Sequence, residues 1–179
     1  MSPMPRVWYF AYGSNMQAAT LRGRRGIAWT RALPARVPNW RFVCDKPPLL
    51  PAMAESYANL VPESGAETFG VLFELDAEDL AHVELTEGVL IGNYRRVDVV
   101  AEPVAGAAAV TAATLVTDAR DPSLVPSERY RALLVEGARE HGLPPTWITF
   151  LESLPARPES AEATRLRLVI DAAMATKAR

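Results

Sequence analysis

Apolar and polar positions alternate between two periods along this chain. Residues 7–12, Val-Trp-Tyr-Phe-Ala-Tyr, form an aromatic, β-prone run halted by Gly13-Ser14-Asn15, which predicts a buried first strand ending in a turn. Residues 16–21 predict a short helix with Asn15 as its N-cap. Residues 27–43 carry β-type stretches broken by Pro34 and Pro38, predicting an edge-like or bulged strand, and the proline-rich residues 46–54 predict a loop. Residues 57–61 and 68–75 read as two strands joined by the turn Pro62-Glu63-Ser64-Gly65. Asp76 then caps a helix with Leu80 and Val83 on one face, ending at Glu87 with Gly88 as left-handed cap. Residues 94–100 and 110–116 predict two more strands. Ser127 opens a helix to Glu140, stopped by His141-Gly142-Leu143-Pro144. After Leu154 the chain turns polar, then offers an amphipathic stretch at residues 166–175. The succession fits an α+β fold: a single mixed domain (residues 1–154) built on a curved sheet or small β-barrel with flanking helices, and a C-terminal extension (residues 155–179), polar then helical.

Composition narrows the function classes. At 179 residues the chain can bury a core without disulfide or metal. A net charge of −2 gives no sign of a nucleic-acid or membrane partner. Cys44 is the single cysteine; it sits in an apolar run, reads as a small buried hydrophobe and excludes an internal disulfide. No run approaches the roughly 20 apolar residues of a membrane helix, and the N-terminus does not read as a signal peptide, so a cytoplasmic location is expected. His82 and His141 are far apart and form no metal-ligand spacing. The basic cluster at residues 21–26, Leu-Arg-Gly-Arg-Arg-Gly, reads as a solvated face.

Two features can carry chemistry. A strand ending in Gly13-Ser14-Asn15 exposes consecutive backbone N–H groups, which can cradle a carboxylate or an oxyanion; the same residues also suit a plain β-turn. Glu87 lies at the negative end of a helix dipole, a locally unfavourable place for a carboxylate. Such departures from local rules mark functional sites, and a glutamate there suits a proton shuttle, although a surface glutamate beside a helix cap has the same pattern.

Phe10-Ala11-Tyr12-Gly13-Ser14-Asn15, followed in order by Glu87-Gly88-Val89 and Gly92-Asn93-Tyr94-Arg95, resembles the γ-glutamylcyclotransferase family. Residues 58–62 and 69–73 are similar to the strands between these motifs, and Tyr130 with residues 137–144 to the late helix, so the resemblance covers residues 8–154. It implies a small mixed barrel that releases 5-oxoproline from γ-glutamyl amines, with no metal or organic cofactor. It places the acid–base on Glu87 and substrate binding on Tyr9, Phe10, Ala11, Tyr12, Gly13, Ser14 and Asn15, with Tyr94 and Tyr130. The expected partner is a small γ-glutamyl molecule, with a homodimer open; glutathione metabolism is the setting implied. Leu115 departs from the tyrosine of many relatives, and residues 45–55 match no family pattern. A non-catalytic module binding a small acid on the same fold is the alternative.

Overall fold

The aromatic N-terminal run forms β1 (Arg6–Ala11), whose last three residues are buried. The computed structural model describes residues 5–177, with side chains to residue 173; residues 1–4 of the expected domain and 178–179 of the expected extension lie outside the described residues. β2 (Arg31–Lys46), β3 (Tyr57–Asp76), β4 (Arg95–Pro103) and β5 (Val110–Val116) complete a closed barrel in the order β1-β3-β2-β4-β5. The antiparallel pairs β1–β3, β2–β3, β2–β4 and β4–β5 run around it, and a parallel contact of β1 with β5 at Tyr9 and Ala113 closes it. Phe10, Leu60, Leu72, Phe73 and Leu75 lie in its fully buried core.

One strand expectation is corrected and another met. The residues read as a turn at 62–65 do not reverse the chain. Both flanks pair with the same strand: Pro38 faces Glu67, and two residues later Trp40 faces Pro62. The extra β3 residues bulge outward, pinned by a hydrogen bond from the Gly65 N–H to Asn39 Oδ1 (3.0 Å) and by the Arg41–Glu63 ion pair (3.0 Å). β2 is bulged as expected, with register shifts between Pro38 and Trp40 and between Val43 and Lys46. It lies between β3 and β4, and Pro34 and Pro38 are tolerated because β4 pairs with it only at Ala35 and Arg36.

Four helices surround the barrel: α1 (Ala77–Thr86), α2 (Glu128–Glu140), α3 (Pro145–Glu152) and α4 (Ala161–Lys177). Asp76 precedes α1 but its side chain makes no cap hydrogen bond; it pairs with Arg6 at 3.3 Å instead. Ser127 does cap α2, its Oγ accepting from the Tyr130 N–H at 3.0 Å, a contact worth about 1 kcal/mol. The expected helix at residues 16–21 is a 3₁₀ turn (Ser14–Met16) followed by a π-helical turn (Ala19–Arg24). α2 lies directly on this turn. A Cβ on Gly137 would sit 2.7 Å from the Gln17 nitrogen and the Met16 Cβ, so only glycine permits the approach. α4 packs against both the π-helical turn and the short turn Pro51–Met53 of the β2–β3 connection.

Candidate active site

α1 ends at Thr86, with Glu87 as its C-cap and Gly88 in the left-handed conformation at φ 73°. That conformation turns the chain sharply after Glu87 and leaves its side chain only 18% exposed. Glu87 Oε1 accepts from Asn15 Nδ2 at 2.8 Å and pairs with Arg25 Nη2 at 2.7 Å. Arg25 Nε also donates to Asn15 Oδ1 (2.8 Å), and Arg25 Nη1 donates to Thr86 Oγ1 (2.7 Å). Asn15 Nδ2 reaches the Tyr9 hydroxyl as well, at 3.0 Å. The guanidinium thus answers the negative end of the α1 dipole and fixes both side chains by charge-assisted hydrogen bonds.

Asn15 is therefore not a helix cap: its amide bridges β1, Arg25 and Glu87. Within the same turn the Met16 and Gln17 N–H groups are engaged with Gly13 O (3.0 Å) and Ser14 O (3.1 Å). Of residues 13–17, this leaves the amides of residues 13–15 for a cradle. The Tyr130 oxygen accepts from the Ala58 N–H at 3.2 Å. Tyr12 donates to the Leu115 carbonyl, and Tyr94 to the Ala58 carbonyl at 3.3 Å. Burial pushes the phenols of Tyr9, Tyr12, Tyr94 and Tyr130 above their ordinary range, and the charge of Glu87 adds to this. They serve as neutral hydroxyls.

These groups line one cavity of about 260 Å³, a size suited to an amino-acid derivative rather than a drug-sized ligand. Tyr9, Tyr12, Gly13, Ser14, Asn15, Glu87, Tyr94 and Tyr130 all reach it. Phe10 and Ala11 do not. Both are buried in the hydrophobic core instead, and the Phe10 ring stacks on that of Tyr12. Leu115 forms the part of the wall where a tyrosine was expected from the resemblance.

Sequence reasoning missed three groups. Arg25, assigned to a solvated face, is a site residue; of its cluster, Arg22 lies 4.0 Å over the Trp29 ring and Arg24 pairs with Asp171 at 2.8 Å. Lys46 is 4% exposed on the cavity wall, donating to Asn93 Oδ1 (2.8 Å) and the Pro47 carbonyl (2.9 Å). From the extension, Arg167 and Ile170 of α4 form the wall facing Leu133 of α2 and the loop residues Leu49, Leu50 and Met53. The amphipathic pattern at 166–175 was the available signal for α4; nothing local marked Arg25 or Lys46. Cys44 lies outside this lining, and burial pushes its thiol up to about 12, which opposes the thiolate form a nucleophile needs.

A model of the AIG2-like family matches residues 67–151. The bovine γ-glutamylcyclotransferase is 26% identical over 140 residues, covering 76% of this chain and 72% of that protein. A γ-glutamyl cyclotransferase of Aspergillus oryzae is 28% identical over 162 residues; the match takes in 79% of this chain but 59% of the longer fungal protein. A solved structure named γ-glutamyl cyclotransferase superposes with a TM-score of 0.75 at 22% identity, over 90% of this chain and 98% of that one. The chain is γ-glutamylcyclotransferase-like in sequence and in fold. In this γ-glutamylcyclotransferase-like barrel the AIG2-like match begins inside β3 and ends in α3, so it contains Glu87, Tyr94 and Tyr130, while the turn at residues 13–15 lies upstream of it. A yeast γ-glutamyl cyclotransferase specific to glutathione shares the fold at a TM-score of 0.58 and 13% identity, over 82% of this chain and 93% of that one. No helix among the described residues is long and apolar enough to cross a membrane.

Proposed function

We propose that this protein is a γ-glutamylcyclotransferase acting on small γ-glutamyl compounds, with Glu87 as its acid–base. The observation carrying this reading is one carboxylate, fixed by Asn15 and Arg25, on a cavity that the turn at residues 13–15 also lines. The substrate's α-amine attacks its own γ-carbonyl carbon. A new C–N bond closes the five-membered ring, the original amide C–N bond breaks, and 5-oxoproline and a free amine leave. Glu87 takes the proton from the attacking nitrogen and returns it to the departing one. No oxidant or external nucleophile enters the balance.

The division of labour follows from the tethered geometry. Intramolecular attack has a large effective molarity once the chain is folded toward the ring, so the protein mainly holds that shape. The amides of residues 13–15 and the Tyr94 and Tyr130 hydroxyls supply neutral dipoles for the substrate's carboxylate or the developing oxyanion. Proton transfer through Glu87 is worth roughly 10²–10⁴-fold. A cytoplasmic setting, a homodimer, a role in glutathione metabolism, cofactor independence and residues 1–154 as the catalytic unit belong to the same proposal. The test is 5-oxoproline release from a panel of γ-glutamyl amino acids, γ-glutamyl amines and glutathione, with the Glu87→Gln variant beside the wild type. Binding without release by the wild type across the panel would replace the enzyme with a small-acid-binding module.

A further inference from the structure

The two groups that hold Glu87 meet the same oxygen. Oε1 accepts from Asn15 Nδ2 at 2.8 Å and pairs with Arg25 Nη2 at 2.7 Å, while among the described residues no donor reaches Oε2, which is not sealed off. The Asn15 side-chain amide is committed in the same way. Its two N–H groups serve the Tyr9 hydroxyl (3.0 Å) and Glu87, and its Oδ1 accepts from Arg25 Nε at 2.8 Å. A buried side chain expected to bind substrate therefore has no donor left for one. Arg25 dictates the arrangement, because a guanidinium only donates: it draws Oδ1 to itself and so turns Nδ2 toward Glu87. We infer that Arg25 is a positioning residue which, directly and through Asn15, fixes Glu87 by Oε1 and leaves Oε2 as the oxygen that carries the proton.

This inference rests on the ring-closing reading above and deepens it. Oε2 takes the proton of the attacking nitrogen. The carboxylic acid so formed keeps Oε1 as an acceptor, so the same contacts survive until Oε2 returns the proton to the departing nitrogen. Nothing has to rearrange between the two transfers, which is the benefit of a preorganised site. Arg25 is itself held from three sides. Its Nε, Nη1 and Nη2 face Asn15 Oδ1, Thr86 Oγ1 (2.7 Å) and Glu87 Oε1, acceptors carried by the turn after β1 and by the end of α1. A planar fork meets three fixed acceptors at once, whereas a lysine ammonium is a single nitrogen. The Arg25 backbone closes the π-helical turn: its N–H bonds the Thr20 carbonyl, five residues back, at 3.2 Å, and Gly26 follows in the left-handed conformation at φ 70°. Such π-turns recur at functional sites.

The experiment is chemical rescue of Arg25→Ala, read as 5-oxoproline release from whichever compound of the panel above the wild type turns over fastest. In this variant kcat should fall by roughly 10²-fold, the cost of misplacing a reacting group by about 1 Å, with KM nearly unchanged. Millimolar guanidinium should enter through the cavity that Arg25 lines and restore part of kcat. Methylammonium at equal concentration should not, since it brings the charge without the fork, and Arg25→Lys should stay well below the wild type for the same reason. A KM that rises while kcat is preserved would make Arg25 a substrate ligand and overturn the inference. Full activity in Arg25→Lys, or rescue by methylammonium as strong as by guanidinium, overturns it too. Should Arg25→Ala not fold, Thr86→Val decides: it keeps both charges, removes one tether and should lower kcat at constant KM, and wild-type kcat in that variant overturns the inference. A wild type that releases 5-oxoproline from no compound of the panel fails the ring-closing reading itself and takes this inference with it, a result distinct from any behaviour of the variants.

Discussion

Glu87→Gln tests the chemistry and the structure at once, because the two make opposed demands on stability. Considered from the helix alone, removing negative charge at the end of α1 should stabilise by about 0.3–1 kcal/mol. The ion pair reverses the sign. Arg25 is 9% exposed and Glu87 18%, so the substitution leaves a largely desolvated guanidinium without its counter-charge. A lost hydrogen bond to a charged group costs about 1.5–3 kcal/mol. The glutamine carbonyl can still accept from Asn15 and Arg25, which returns part of this. The net expectation is a loss of about 1–2 kcal/mol, or a fall in Tm of roughly 2–8 °C for a domain of this size. Over the same substitution kcat should fall at least about 10²-fold, since glutamine cannot accept and return a proton. Substrate affinity should change little, because the turn and the tyrosines are the groups proposed to hold the ligand. Thermal unfolding, calorimetric binding and 5-oxoproline release on one preparation separate the three effects. A Tm above wild type would refute the Arg25 argument, and near-wild-type turnover would eliminate Glu87 as the catalyst.

Other outcomes follow from the same contacts. At residue 13 a Cβ would lie 3.3 Å from the Tyr130 hydroxyl and 3.6 Å from the Ala58 Cβ, so Gly13→Val should lower kcat/KM by more than about tenfold relative to Ser14→Ala; the reverse order would point to a hydroxyl role for Ser14. Truncation after Arg157 removes Arg167 and Ile170 from the cavity wall, so KM should rise by roughly tenfold while release stays measurable; a folded but inactive truncation would refute this. Glu159 is held down at about 2, first by its hydrogen bond from Arg167 and then by Thr164 and Arg129, against desolvation. Its contribution to seating α4 is complete above about pH 4.3, the unfolded value, and is lost as pH falls through about 2. Protease sensitivity of α4 should rise across that window and not above it; a midpoint near neutrality would assign the docking to another group.

What the sequence showed and hid divides along the range of the interactions. Gly88 was legible because a left-handed cap leaves a local mark, a glycine after the last apolar helical position. Ser127 was legible for the same reason. Pro62-Glu63-Ser64-Gly65 has the composition of a hairpin turn, but composition does not say whether both flanks meet one strand or two, and here both meet β2. Asn15 could cap a helix or reach across the fold; the partner that decided it, Glu87, lies 72 residues away. Arg25 and its neighbour Arg24 are alike in sequence, yet one meets Glu87 and the other Asp171. Only the packing of α1 and α4 separates them. Lys46 was invisible because its burial depends on Asn93 and Tyr94, whose ring lies 4.7 Å from its ammonium.

The seam between β1 and β5 has a consequence for how activity emerges during folding. It joins the first strand to the last: the Thr114 hydroxyl donates to the Phe10 carbonyl at 2.8 Å across 104 residues of chain. Closing so long a loop has an entropic cost before any contact repays it, and non-local pairings of this kind slow folding. Tyr9 and the turn it supports hang from one side of that seam, and the Leu115 carbonyl that receives Tyr12 hangs from the other. The candidate site is therefore assembled only when the barrel shuts, so in a refolding time course the proposed activity should report the final closure rather than the earlier gain of secondary structure.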